Sequence, residues 1–334
     1  MINYKDRSTI LVMVVILVIG ITGGYSYAHN SDINAQRTLF SAIMPIRDKT
    51  SSYKYVSSLL AYDVPENKTI AEYKPLHDMI SSYISTQKSN GKLTQASVYY
   101  RSLDKGNWVG VNENEKYVPA SLFKVPILMG YLKDAEEDPN IMSKKLKYEG
   151  PDQNANESIK PSAFAQPGKE YDVKSLLDYM IKYSDNNATY ALFAATDKNS
   201  FAEIFSDLGI VLPTDLSGGD FISVKDYSLF FRILYNSTYL TKDFSDQALG
   251  LMTQSDFNEG IVAGVPQGTV VAHKFGEYAA LDSNGQTTER ELHDCGIVYG
   301  PKAYLLCVMT KGQNLDDLKT TIQHISEQVY KTVG

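Results

Sequence analysis

The run PASLFKVPILMGYL at 119–132 sets Ser121 three residues before Lys124, at the start of an apolar segment with helical spacing. Positions i and i+3 of a helix share a face, which brings the lysine amine within reach of the serine hydroxyl. An ammonium drawn into apolar surroundings gives up its proton more readily, because desolvation disfavours the charged form. The neutral amine can then act as a general base. A serine at a helix start also lies among N–H groups that lack intrahelical partners, and such donors can stabilise an oxyanion. Together these are the means for acyl transfer through a serine nucleophile. The competing reading of Lys124 is a snorkelling side chain. The spacing alone decides nothing, since S-x-x-K occurs five times, at Ser51/Lys54, Ser85/Lys88, Ser89/Lys92, Ser102/Lys105 and Ser121/Lys124.

Two further stretches complete a site. Ser184-Asp185-Asn186, within YSDNNATYAL, is the only S-D-N in the chain. Ser184 can relay a proton to a leaving group, and Asn186 can bind a substrate amide carbonyl or hold Lys124. The bland alternative is a helix cap, a common task for these residue types. Lys274-Phe275-Gly276 is the only K-x-G. Its lysine can meet a substrate carboxylate, and its glycine lets a ligand approach the strand edge closely. The bland alternative is a solvated lysine before a turn.

The elements that must position these residues follow from the patterning. AEYKPLHDMISSYISTQ at 71–87 suits an amphipathic helix. Residues 96–103 and 108–111 read as a hairpin. The middle, about 119–262, is mostly helical, with candidates at 173–183, 186–195, 199–207, 224–236 and 245–253. Strand-like segments return at 268–274, which the K-x-G ends, and at 294–299 and 303–310. A helix at about 315–331 closes the chain. Antiparallel strands at both ends of the domain, with a helical insert between them, predict an α+β sandwich.

S-x-x-K, S-D-N and K-x-G, in this order on helix, helix junction and strand, resemble the motif set of class A β-lactamases and penicillin-binding proteins. The resemblance spans about residues 71–334. It implies a β-lactamase/DD-peptidase-like fold: an antiparallel sheet between helices, a three-layer α/β/α sandwich, plus an all-helical subdomain. It makes Ser121 the nucleophile, Lys124 its activating neighbour, and Ser184 and Lys274 the proton relay and carboxylate contact. The backbone N–H groups of Ser121 and Glu277 would form the oxyanion hole, with Asn186 and Gly276 beside the substrate. The implied substrate is a β-lactam or a D-Ala-D-Ala-type cell-wall peptide.

Two departures bear on turnover. Phe275 stands where the family pattern has Thr or Ser, so a hydroxyl for the substrate carboxylate is missing. With ordinary strand alternation its ring would take the cleft-facing position, either narrowing the pocket or forming an aromatic wall. The stretch SDLGIVLPTDLSGGDFIS at 206–223 contains no glutamate, whereas the family carries E-x-x-L-N on the equivalent loop. Asp215 and Asp220 read as turn residues. The acylation parts are therefore present and the deacylation base is not, which predicts slow turnover. A D,D-carboxypeptidase or transpeptidase-like enzyme, and a catalytically idle wall-binding relative, are the alternatives.

The remaining features set the context. The 334 residues carry a net charge of −7, against the basic face expected of a nucleic-acid binder. No CxxC, HExxH, GxSxG, GxGxxG or Walker-type loop occurs, and no cofactor or metal is called for. His273, His293 and His324 are too scattered for a metal motif, and His273 reads as structural. Lys5 and Arg7 precede the apolar run Ile10–Ile21, in a stretch long enough for the about 20 residues a bilayer crossing needs. The expected organisation is a cytoplasmic segment at 1–8, a membrane anchor or signal peptide at 9–28, a tether at 29–70 and the hydrolase domain at 71–334. A retained anchor is favoured over cleavage near Ala28, and either places the domain outside the cytoplasm. Cys295 and Cys307 flank a hairpin and are either a cross-strand bridge or two buried thiols.

Overall fold

The computed structural model describes residues 54–55, 70–213 and 219–333, all within the compact unit Lys49–Gly334. The expected anchor lies outside the described residues, as does the tether apart from 54–55 and 70. Among the described residues no helix is long and apolar enough to cross a membrane.

A five-stranded antiparallel sheet runs in the order β2-β1-β7-β6-β5. Its strands are β1 (Gln95–Ser102), β2 (Trp108–Val111), β5 (Val270–Leu281), β6 (Thr287–Tyr299) and β7 (Ala303–Gly312). β1 is buried along nearly its whole length. Antiparallel strands usually leave one face to water, so continuous burial means that both faces are covered. Alternation sorts the side chains. Val98, Tyr100, Leu306 and Val308 join Leu76 and Ile80 of α1 (Ile70–Ser89) and Leu318, Ile322 and Val329 of the terminal helix α8 (Leu315–Val333). Tyr99, Leu305, Cys307 and Met309 face the other way, onto the helices between β2 and β5. The three layers expected from the motif resemblance are present.

The inserted helices are α2 (Lys124–Glu137), α3 (Val173–Lys182), α4 (Asn186–Ala195), α5 (Lys198–Asp207), α6 (Val224–Tyr235) and α7 (Lys242–Met252). Local chemistry fixes their starts. Asp172 accepts from Ser175 N–H at the head of α3. Asp185 accepts from Asn187 and Ala188 N–H at the head of α4. Ser223 and Asp226 form a reciprocal capping box on α6. A two-stranded ribbon, β3 (Lys145–Lys147) with β4 (Glu170–Asp172), was not anticipated, because three-residue strands carry no readable alternation.

One expectation about the sheet needs correction, and one open alternative is decided. Lys274-Phe275-Gly276 does not end a strand: β5 continues through Glu277 to Leu281, paired with β6 throughout. The turn comes later, at Asp282–Gln286, where the backbone and the Asp282 carboxylate close the hairpin. Cys295 and Cys307 sit directly opposite each other on β6 and β7 and form a disulfide.

Candidate active site

The segment before Ser121 is pinned from behind. Tyr117 exchanges backbone hydrogen bonds with Phe221 and Ile222, and Val118 N–H donates to Glu291 Oε2 at 3.2 Å. His293 Nε2 donates to Val118 O at 2.9 Å. A 3₁₀ turn, Ala120–Phe123, then leads into α2. Pro119 supplies no capping side chain, and first-turn N–H groups have no intrahelical acceptors. Pro126 falls in the first turn of α2, where its missing N–H is tolerated. Ala120 adopts φ +48°, a left-handed conformation that costs a non-glycine residue of the order of 1 kcal/mol and persists only when its surroundings impose it. Ser121 follows at once and is partly exposed.

Gly276 explains how β5 comes so close to this turn. An added Cβ would lie 2.9 Å from Pro119 O and 3.1 Å from Leu122 N, so only glycine admits the contact. The glycine was expected to let a ligand approach the strand edge; the close approach seen here is made by the turn that carries Ser121. The backbone of Ser121 and that of Glu277, the next residue on β5, belong to the two segments that meet here.

Lys124 and Lys274 are buried, at 2% and 0% exposure. Lys124 Nζ donates to Ser184 O at 2.5 Å, to Ser184 Oγ at 3.0 Å and to Asn186 Oδ1 at 2.7 Å. Lys274 Nζ donates to Ser184 Oγ at 2.9 Å and to Phe275 O at 2.9 Å. The S-D-N triplet can serve both lysines because Ser184 has φ +57°, turning its hydroxyl and carbonyl inward while Asp185 caps α4. Within the triplet Asp185 does the capping, while Ser184 and Asn186 hydrogen-bond the buried lysines. Asp185 is further held by Asn154 Nδ2 at 2.8 Å and Ala165 N–H at 2.8 Å.

Burial drives the Lys124 ammonium down to about 7, against the opposing pull of Glu157 and Asp185. Burial, and then the charge of Lys124, hold Lys274 well below the ordinary lysine range. A neutral Lys124 has two protons for three contacts, so one contact must reverse. Of its partners only the Ser184 hydroxyl has a proton to donate. The resting wiring then runs from Lys274 to Ser184 Oγ to Lys124. The Ser121 hydroxyl is not among the three partners of Lys124, contrary to the direct contact expected from i, i+3 spacing. The amine is instead turned toward Ser184 and Asn186.

Phe275 is not an open aromatic wall. Its ring is 4% exposed and stacks on Phe257 with centroids 4.2 Å apart. The Lys274 ammonium sits 4.0 Å from the ring centroid, a cation–π contact. The ring thus borders the lysine while being packed into the core shared with α1 and α8.

Sequence reasoning missed Glu157. Its Oε1 accepts from Asn186 Nδ2 at 2.6 Å, and burial raises its carboxyl above the usual range although Lys124 pulls it down. It lies 29 residues before Asn186, in a loop without a motif, so nothing in the sequence signalled it. The side chain of Glu277 was also unforeseen: its Oε2 accepts Ile159 N–H at 2.9 Å and ties that loop to β5. His273 is structural, with Nδ1 2.8 Å from Asp294 Oδ1, and Asp220 is engaged by Lys311 at 2.6 Å. Asp215 lies outside the described residues. Among the described residues no cluster of His, Cys, Asp or Glu could hold a metal ion.

Two buried lysines and the serine that bridges them are thus joined by hydrogen bonds, and the turn bearing Ser121 lies directly before the helix that carries one of them. The family model described as the beta-lactamase enzyme family matches residues 75–333, and the chain belongs to that family. No curated protein matches it. Among solved structures, PBP-A superposes with a TM-score of 0.66 at 23% identity, covering 80% of this chain and 98% of that one. The TLA-1 extended-spectrum β-lactamase gives 0.63 at 19% identity, covering 77% and 99%. A class A β-lactamase from Mycobacterium abscessus gives 0.62 at 18% identity, covering 76% and 98%. At these identities the likeness is one of fold.

Proposed function

We propose that the protein is an extracytoplasmic serine acyl-transfer hydrolase that forms an acyl-enzyme on Ser121 with β-lactams or D-Ala-D-Ala-type peptides and releases it slowly. One observation carries this reading: the Ser184 hydroxyl is hydrogen-bonded to both buried lysine amines. A neutral Lys124 swings from Ser184 to Ser121 and takes the hydroxyl proton as Oγ attacks the carbonyl carbon. The N–H groups of Ser121 and Glu277 receive the oxyanion. The carbonyl–nitrogen bond then breaks, and Ser184 passes its proton to the leaving nitrogen while the lysines replenish it. A substrate carboxylate arriving beside Lys274 favours its charged form and docks there. Asn186 receives the acyl-side amide carbonyl.

Slow release rests on the absence of a glutamate from 206–223 and on the engagement of Asp220 by Lys311. The PBP-A likeness favours the penicillin-binding variant of the reading, since a mutant of that protein is known as an acyl-enzyme with penicillin G. The N-terminal apolar run would tether the domain to the outer side of a membrane. The test is intact-protein mass of residues 29–334 after incubation with a penicillin, beside Ser121→Ala. A stable adduct lost in Ser121→Ala is expected. No adduct with intact drug would favour the idle relative, and drug consumed without an adduct would mean efficient β-lactamase turnover.

A further inference from the structure

Asn186 is engaged on both sides before any substrate arrives. Its Oδ1 accepts from Lys124 at 2.7 Å. A primary amide has two N–H donors. One goes to Glu157 Oε1 at 2.6 Å and the other toward Gln153 O at 3.4 Å. Both donors are taken, so an arriving carbonyl has to compete for one of them, and the Glu157 carboxylate is the partner that carries charge.

Glu157 is held there by construction. The loop that carries it is fastened to the helical lobe, where Gln153 N–H donates to Asn187 Oδ1 at 2.8 Å and Asn186 N–H donates to Asn154 Oδ1 at 2.8 Å. It is fastened to the sheet by Ile159 N–H on Glu277 and by Arg290 on Ser158 Oγ at 2.9 Å. The cations nearby are occupied. Arg290 lies 3.5 Å from Glu277, Lys160 donates to the carbonyls of Asn154 and Ala155, and Lys124 donates to Ser184 and Asn186, so Lys124 and Lys160 act on Glu157 only through their charge and form no hydrogen bond with it. Glu157 and Glu277 thus place two carboxylates beside the acyl-side contact.

Resting on the acyl-transfer reading of the site, we propose that Glu157 guards Asn186 and makes the enzyme prefer acyl donors bearing an ammonium group next to the carbonyl that Asn186 binds. Such a group draws the carboxylate off the amide as the carbonyl takes its place. A neutral acyl donor must break the Glu157–Asn186 bond with no new partner for the charge.

Benzylpenicillin and ampicillin test this, because they differ by one amino group on the carbon beside that carbonyl. Acylation rate constants are measured at a pH where the amine is protonated. The wild-type protein is expected to favour ampicillin by about tenfold, as one new charge contact at a half-buried site permits. Glu157→Gln, which keeps an acceptor and removes the charge, is expected to bring the ratio to about one. Glu157→Ala is expected to do the same and to raise the benzylpenicillin rate. A wild-type ratio near one, or a ratio unchanged in both variants, overturns the proposal. If neither drug acylates the protein, the acyl-transfer reading fails. The charge preference is then read by equilibrium dialysis, where ampicillin retention that is lost in Glu157→Gln supports it and equal retention overturns it.

Discussion

Lys124 and Lys274 reach the same hydroxyl, that of Ser184, at 3.0 and 2.9 Å. Two amines this close and this buried cannot both carry full charge cheaply, so the hydroxyl between them is placed to pass a proton from one to the other. Ser184→Ala removes that group and leaves both lysines with one partner fewer. Acylation by a penicillin should fall by about 10²–10⁴, the usual range for a lost acid–base step. The circular dichroism spectrum should be unchanged. Acylation within threefold of wild type would remove Ser184 from the relay.

The pH dependence of acylation has a definite sign. Lys124 must be neutral to act and holds its proton below about 7, so the rate should fall roughly tenfold per pH unit below that point. The charge of Glu157 supports the ammonium. Glu157→Gln should therefore move the acidic limb to lower pH, and a shift to higher pH would contradict the wiring described.

The same depression bears on stability. Lys124 is lowered from 10.5 to about 7 in the folded state, so the unfolded chain binds more protons between those values. Stability should rise with pH across that window. Urea midpoints for Lys124→Met should rise less steeply from pH 7 to 10 than those of the wild type.

Gly276→Ala puts a methyl group 2.9 Å from Pro119 O. Backbone has to give way, at a cost of about 1–3 kcal/mol. Separating β5 from the turn that carries Ser121 should slow acylation at least tenfold while the drug still binds reversibly. A variant with wild-type acylation would mean that the turn tolerates displacement.

Phe275→Thr would restore the hydroxyl that the family pattern has at this position. It also removes a ring stacked on Phe257, and deleting a buried phenylalanine costs about 3–5 kcal/mol. The expected result is a lower melting temperature with no gain in penicillin acylation. Faster acylation in a stably folded Phe275→Thr protein would show that the ring obstructs the carboxylate.

Most of the architecture was legible because the chain states it in local terms. Helices over 173–183, 186–195 and 224–236 carry long apolar periodicities and strong caps, and they are found within a residue or two of those bounds. Lys124, Ser184, Asn186 and Lys274, each in a short pattern with a mechanism behind it, are joined by hydrogen bonds in the fold, whereas Ser121 stands at the turn before Lys124. What stayed hidden depends on contacts between distant segments. The course of β5 past Gly276 is dictated by pairing with β6, and FGEYAAL has too weak an alternation to reveal it. The packing of Phe275 depends on Phe257 in another element. Glu157 and Glu277 are ordinary surface residues in sequence, and only the folding of one loop across to β5 gives them neighbours.

The central strand of the sheet is the last one made. β7 lies between β1 and β6, with Gln95 opposite Lys311 and Ser102 opposite Tyr304. No strand can pair the first hairpin with the rest of the sheet until the chain is almost complete, and the entropy of closing that long loop comes before the contacts that reward it. High contact order of this kind slows folding. A chain truncated before Ala303 would leave β1 and β6 as two unpaired strand edges, which invite pairing with other copies. The final thirty or so residues therefore decide whether the chain folds or aggregates, although the hydrogen bonds around Lys124 and Lys274 come from elsewhere.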